Sequence, residues 1–312
     1  RQMCIRDRVI VFSINMVSVK LFGEAEFWFA AIKVTAILLF MVVAIWTVVT
    51  GHAVGNSHAG FSNISQHGGW FPKGVAPMLT LSLGVIFAFG GTEMVGVAAG
   101  EAEEARKVLP KAVNSMILRI FVFYVGSIVL MTLVLPWTAY SSTESPFVTF
   151  FAGIGVPYAG DIMQIVVLTA ALSSLNAGLY ATGRTLRSLA VAGEAPKVAA
   201  KLNRHGVPAG GIAITASLGL IGVFINYLYP SKAFEVVMNL AAIGIAGTWI
   251  SILASHMVFV LKARKGETTR PSFQLRGAPV ANVVTILVLL CTIIAMWFEP
   301  EVGRPTIFLF LG

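Results

Sequence analysis

Two ionisable side chains, Glu93 and Lys33, fall inside long apolar stretches of this 312-residue sequence. A charge at the centre of a bilayer costs roughly 3 kcal/mol or more, so each needs a partner or a function. Glu93 directly follows Phe89, Gly90, Gly91 and Thr92, in a stretch (Met78–Gly100) that also holds Gly84, Gly96 and Gly100. Each glycine weakens a helix by about 1 kcal/mol relative to alanine, and the adjacent pair invites local unwinding. An unwound segment aims the N–H groups of the next half-helix at a carboxylate and leaves free carbonyls for an ammonium or a cation. The competing account is that these glycines only let helices pack closely.

Lys33 stands in Phe27-Trp28-Phe29-Ala30-Ala31-Ile32-Lys33-Val34. It lies about 9 Å along a helix from Phe27, at 1.5 Å per residue, so its four-carbon stem could snorkel to the inner surface. Alternatively it faces the bundle, where desolvation lets it gain and lose a proton. A third cluster, Ser173, Ser174 and Asn176, lies within Val166–Tyr180; such residues serve equally as interhelical hydrogen-bond positions. Asn239 and Thr248 read as packing positions, and Glu101, eight residues beyond Glu93, as a solvated helix end. The histidines have no metal-like partners and no nucleophile-elbow motif is present, so an enzyme has no support. Cys4 and Cys291 form neither a metal spacing nor a disulfide framework.

The elements that must carry these groups follow from composition. The chain is 57% hydrophobic and 12% charged, with mean hydropathy +0.84, against about 25% charged for a soluble domain. An ordinary soluble enzyme and a disordered chain are both excluded. Spanning a bilayer takes about 20 mostly apolar residues, and such runs recur at 27–50, 78–100, 117–138, 161–183, 210–229, 235–261 and 280–298. The expected fold is therefore all-α, a polytopic transmembrane bundle with seven complete helices. Val9–Val19 is too short to span and the apolar run from Thr306 stops at Gly312, so the chain reads as a fragment. Residues 1–8 carry three arginines and lack the apolar core of a signal peptide; they read as a non-native leader, leaving 9–312 as one membrane domain.

Alternate loops hold fifteen Lys and Arg against three, namely Lys73, Lys232 and Arg304. That asymmetry marks the cytoplasmic face and accounts for the net charge of +8 without nucleic acid. Gly51–Pro77 reads as a solvated outer loop with Trp70 at the interface, Glu101–Ser115 as a short inner surface helix, and Pro208 and Pro230 as helix boundaries. A channel would carry a polar stripe along several helices, whereas the polar groups here collect on three.

The stretch Phe22–Val34 resembles the fifth helix of bacterial amino-acid permeases of the amino acid–polyamine–organocation superfamily. Phe87–Gly96 and Ala99-Gly100-Glu101 resemble their discontinuous sixth helix, and Leu109–Ser115, Pro136-Trp137, Ser145–Val148 and Val166–Arg184 continue the likeness. Within that superfamily Ser145–Phe151, Gly155–Tyr158, Leu172–Asn176 and Phe224–Leu228 resemble L-asparagine permeases, whereas Gly69–Gly74 is shared with glycine/alanine/serine permeases.

The resemblance implies an inverted-repeat (LeuT-like) transporter fold of twelve helices, of which this chain holds about helices 4 to 12. It implies proton-coupled uptake of a small neutral amino acid, foremost L-asparagine, across the bacterial inner membrane. Glycine, alanine, serine or an aromatic amino acid is the alternative. It carries substrate binding onto Phe89, Gly90, Gly91, Thr92 and Glu93, and proton coupling onto Lys33, Ser173 and Ser174. The implied partners are the amino acid, the proton and the lipid bilayer. No nucleic acid, obligate protein partner, metal or cofactor is expected, the proton gradient being the driving force. The first helix, which supplies half of the family's substrate site, falls outside this chain, so the fragment alone is not expected to transport.

Overall fold

The computed structural model describes residues 19–75, 77–93, 95–96, 104–141, 144–204, 206–228, 233–300 and 302–311. Residues 1–8, Cys4, most of Val9–Val19, Glu101 and Pro230 lie outside them. The chain forms two compact units, one of Arg1–Pro72 with Ile120–Val223, the other of Lys73–Arg119 with Phe224–Gly312.

Among the described residues five helices are long and apolar enough to cross a membrane: Gly23–Thr50, Lys107–Val134, Ala159–Ala192, Phe234–Arg264 and Val280–Phe298. They bear out the all-α, multi-span bundle. The run at 210–229 forms a helix over Ala209–Leu228, but the run at 78–100 is no continuous helix. Elements are numbered here in chain order as α1 (Val19–Thr50), α2 (Ser62–Ser65), α3 (Pro77–Phe89), α4 (Ala105–Arg119), α5 (Ser127–Val134), α6 (Pro146–Gly153), α7 (Ala159–Ala192), α8 (Ala209–Leu228), α9 (Ala233–Arg264), α10 (Val280–Ala295) and α11 (Gly303–Leu311).

Several helices outrun their apolar runs. Helix α1 includes Gly23-Glu24-Ala25-Glu26, because Glu and Ala are good helix formers and nothing there breaks the ladder. Helix α7 continues nine residues past Gly183. It stops at Gly193, whose φ of 86° suits glycine, with Gly193 N–H donating to Ala190 and Glu194 N–H to Leu189, the paired bonds of a Schellman end. Of the short surface helix expected at Glu101–Ser115, the described residues from Ala105 form a helix that leads into a span, Lys107–Val134. Helix α4 runs into seven residues of π-helix, Ile120–Gly126, and on into α5. That span ends at Val134, four residues early, because Pro136 forces Leu135 into extended backbone.

In the first unit α1 packs along α7 and against α5, and α6 against α7. The core gathers Phe40, Ala44, Val134, Phe150 and Met163. Phe40 meets Phe147 and Phe150 edge to face, with centroids 5.0 and 5.2 Å apart, each pair worth about 0.5–1.5 kcal/mol beyond area burial.

The outer loop is not simply solvated. Two-residue strands, β1 (Ala53–Val54) and β2 (Ser57–His58), pair antiparallel, and Val54 is fully buried in the core. Asn63, 6% exposed, donates through Nδ2 to the carbonyls of His58 and Leu133 at 3.0 and 2.9 Å. Gly60 N–H reaches the same Leu133 carbonyl, and Gly55 N–H that of Gly153. The last carbonyls of a helix lack partners within it, so this loop docks by capping the C-terminal ends of α5 and α6. Nearby, burial pushes the Tyr140 phenol above its ordinary range, and its hydroxyl donates to the Met131 carbonyl at 2.7 Å. Trp70 is exposed, as an interfacial anchor requires.

In the second unit Leu83 and Ile86 of α3 meet Ala242, Ile243 and Ala246 of α9 and Leu289 of α10. Across both units large apolar side chains such as Val49, Phe121, Ile165 and Leu287 point outward, the surface that lipid would cover.

Candidate functional site

The first cluster lies in the second unit. Helix α3 ends at Phe89, and Gly90–Glu93 is a turn, with Gly91 at φ 95°. Bonds there close three residues back instead of four: Gly90 N–H to Phe87, Thr92 to Phe89, Val95 to Thr92 and Gly96 to Glu93. This is the interruption that the glycine pair invites.

The two accounts of the glycines divide between positions. At Gly91 a Cβ would meet nothing within 4 Å, so glycine is needed there for its left-handed backbone. At Gly90 a Cβ would overlap Cδ1 of Ile245 on α9, the far end of a flexible side chain, so a larger residue there makes that chain shift. Gly84 has open space and no unusual φ.

Glu93 turns back over this break. Its Oε2 accepts the Gly91 N–H at 3.1 Å and the indole N–H of Trp249 on α9 at 3.0 Å. Hydrogen bonds to an ionised group are roughly twice as strong as neutral ones, and a carboxylate has about four acceptor sites. The two donors therefore fix its position and leave acceptor capacity for a bound group. Phe89, Thr92 and Glu93 are half-buried, while Gly90 and Gly91 are exposed.

The second cluster lies in the first unit. Lys33 does not snorkel: its Nζ donates to Oγ of Ser173, 140 residues away, at 2.7 Å. Ser173 is fully buried and passes its own proton to Oε1 of Glu26 at 2.6 Å. Glu26 Oε1 lies 3.8 Å from Lys33 Nζ, and Asn176, 1% exposed, donates to Glu26 Oε2 at 3.3 Å. Positions 26 and 33 share a face of α1 two turns apart, and positions 173 and 176 share a face of α7. Ser174, one residue on, points elsewhere: its exposed hydroxyl donates to Ala170 of its own helix at 3.1 Å.

Sequence reasoning missed Glu26 and Trp249. The seven-residue interval from Glu26 to Lys33 is the signal that could have found the first; the second, 156 residues from Glu93, has no local signal in the sequence. Thr248, read as a packing residue, bonds back to Gly244 of its own helix at 3.0 Å. Among the described residues no group of three or more His, Cys, Asp or Glu could hold a metal ion. His256 instead pairs with the fully buried Asn282, their nitrogens 2.9 Å apart.

The sequence profile of the amino acid permease family matches residues 8–308. An L-asparagine permease of Streptomyces coelicolor is 51% identical over 300 residues, 96% of this chain and 61% of the relative. L-asparagine permeases of Salmonella typhimurium and Escherichia coli are 50% and 49% identical, over 96% of this chain and 60% of their own length. The chain thus spans about 60% of the length of the curated relatives it matches.

Proposed function

The chain belongs to the amino acid permease family, and from that premise we propose that it forms part of a proton-coupled amino-acid transporter of the bacterial inner membrane, with L-asparagine as the leading substrate. The observation that carries this reading is the helix interrupted at Gly90–Glu93, with its carboxylate held in place by Trp249. A zwitterionic amino acid carries an anion and a cation a few ångströms apart, and the exposed backbone and the polar side chains of an interrupted helix can match them. In this proposal Phe89, Gly90, Gly91, Thr92 and Glu93 bind the substrate. Support for asparagine comes from the names of the three relatives.

Lys33 is proposed as the proton-responsive group, with Ser173 and Ser174 beside it in the role that the family resemblance assigns. The bond from Lys33 to Ser173 supports the first serine; the second rests on the resemblance alone. Protonation of Lys33 changes the charge between two packed helices, so it biases which side of the membrane the substrate path opens to.

The test is uptake of labelled L-asparagine into liposomes containing the protein expressed from its full reading frame. Accumulation driven by an inward proton gradient, competed by unlabelled asparagine, is expected. No gradient-dependent uptake of asparagine, serine, glycine or alanine would sink the reading.

A further inference from the structure

We infer that Glu26 is the positioning residue for Lys33, joined to it by the Ser173 hydroxyl as a three-membered proton relay whose acidic end Asn176 holds. The inference rests on the proposed role of Lys33 and adds the group that sets its charge.

Hydrogen-bond direction carries the argument. A lysine ammonium has three donors and no acceptor, and a serine hydroxyl has one donor. With Lys33 donating to Ser173, the Ser173 proton must point away, and Glu26 Oε1 lies on that side at 2.6 Å. The second oxygen of Glu26 is held by Asn176, so the carboxylate cannot swing off the relay. Ser173 and Asn176 are almost wholly shielded from solvent, which removes competing water from the centre of the chain.

One concerted step balances. Lys33 Nζ gives a proton to Ser173 Oγ while the Ser173 proton moves to Glu26 Oε1. The products are a neutral amine, an unchanged serine and a neutral carboxylic acid, with no net charge gained or lost. The relay thus holds two forms, an ion pair and a neutral pair, and the membrane's cost for charge makes the balance between them sensitive to neighbours.

Among the described residues those neighbours are few. Helix α5 carries no ionisable side chain. On α7, Asp161 lies twelve residues before Ser173, about 18 Å along the helix, and Tyr180, Arg184 and Arg187 lie beyond Asn176. The Arg184 guanidinium stacks on Tyr180 at 3.3 Å. On α1 itself, Glu24 is exposed. Among the described residues Glu26 is therefore the nearest counter-charge to Lys33.

The experiment measures uptake against external pH in liposomes bearing the full reading frame, for wild type, Glu26→Gln, Glu26→Asp, Ser173→Ala and Lys33→Ala. Glu26→Gln removes the group that accepts the Ser173 proton and so breaks the relay at its acidic end; the alkaline limb of its uptake profile is expected to move acidward by about one unit or more. Glu26→Asp is expected to restore part of that shift. Ser173→Ala keeps both charges and is expected to move the limb the same way. An unmoved limb in a monodisperse, substrate-binding Glu26→Gln protein overturns the inference; if that variant does not fold, an unmoved limb in Ser173→Ala does so. If Lys33→Ala keeps its gradient dependence, the parent reading fails. If Lys33→Ala loses it while Glu26→Gln and Ser173→Ala leave the limb in place, the relay alone fails.

Discussion

Gly90 and Gly91 are adjacent, yet the structure constrains them for different reasons, and a set of substitutions separates the two. At Gly91 the φ of 95° has open space around the missing side chain, so Gly91→Ala meets no clash and costs the left-handed backbone penalty, about 1–2 kcal/mol. At Gly90 the backbone is ordinary but a methyl group overlaps Cδ1 of Ile245, a side-chain end that can move, which puts the cost at the low end of overpacking, about 1 kcal/mol. Ile245→Val deletes that atom and by itself costs about 0.5–1.5 kcal/mol. The double variant Gly90→Ala/Ile245→Val is therefore expected to be more stable than additivity allows, with a coupling of about 0.5–1 kcal/mol. Rescue is partial, because the Phe87 carbonyl still lies 3.2 Å from the new Cβ. Gly91→Ala/Ile245→Val is expected to be additive. Thermal unfolding in detergent, followed by a fluorescent thiol or intrinsic tryptophan signal, reads all five variants. Equal rescue of both alanines, or none at Gly90, refutes the division of roles.

Three further outcomes follow from the geometry. Trp249→Phe removes one of two N–H donors to Glu93 and is expected to cost about 1.5–3 kcal/mol of local order, as for bonds to charged groups; weaker asparagine binding by titration calorimetry, restored in Trp249→His only if its ring donates, checks it. Asn63→Ala leaves the Leu133 carbonyl with one fewer donor and is expected to destabilise by about 1–3 kcal/mol, while making the outer loop more sensitive to protease. The raised Tyr140 phenol contributes stability present below its ordinary value of 10.0 and lost as pH rises beyond it; Tyr140→Phe is expected to unfold less steeply above that pH and to lose about 0.5–1.5 kcal/mol at neutral pH. A Tyr140→Phe protein with the wild-type alkaline transition would show that another group controls it.

Much of the bundle was legible because lipid leaves little choice: a long apolar run must satisfy its own backbone, and a helix does so. The interruption at Gly90–Glu93 was legible too, since two adjacent glycines beside a charge make unwinding cheap. Helix ends were not. Apolarity reports where lipid begins and ends, whereas α1 and α4 take in polar sequence such as Glu24-Ala25-Glu26 and Ala105-Arg106-Lys107, and α7 continues until the Schellman glycine at Gly193 stops it. The docked outer loop was missed for a similar reason. Its Asn and Gly residues read as solvated, and nothing local to Asn63 announces a helix carbonyl seventy residues away.

The charged pair marks where sequence stops and tertiary structure takes over. Spacing alone places Glu26 with Lys33 on one face of α1 and Ser173 with Asn176 on one face of α7, because 3.6 residues make a turn. Whether Lys33 reached the membrane surface or turned inward was left open by that spacing, since its stem is long enough for either. Packing of α1 along α7 decided it, by bringing a buried hydroxyl within 2.7 Å of the ammonium. The choice depends on how each helix is rotated about its own axis, and rotation is set by core contacts such as Phe40 against Phe150, not by the apolarity of either helix.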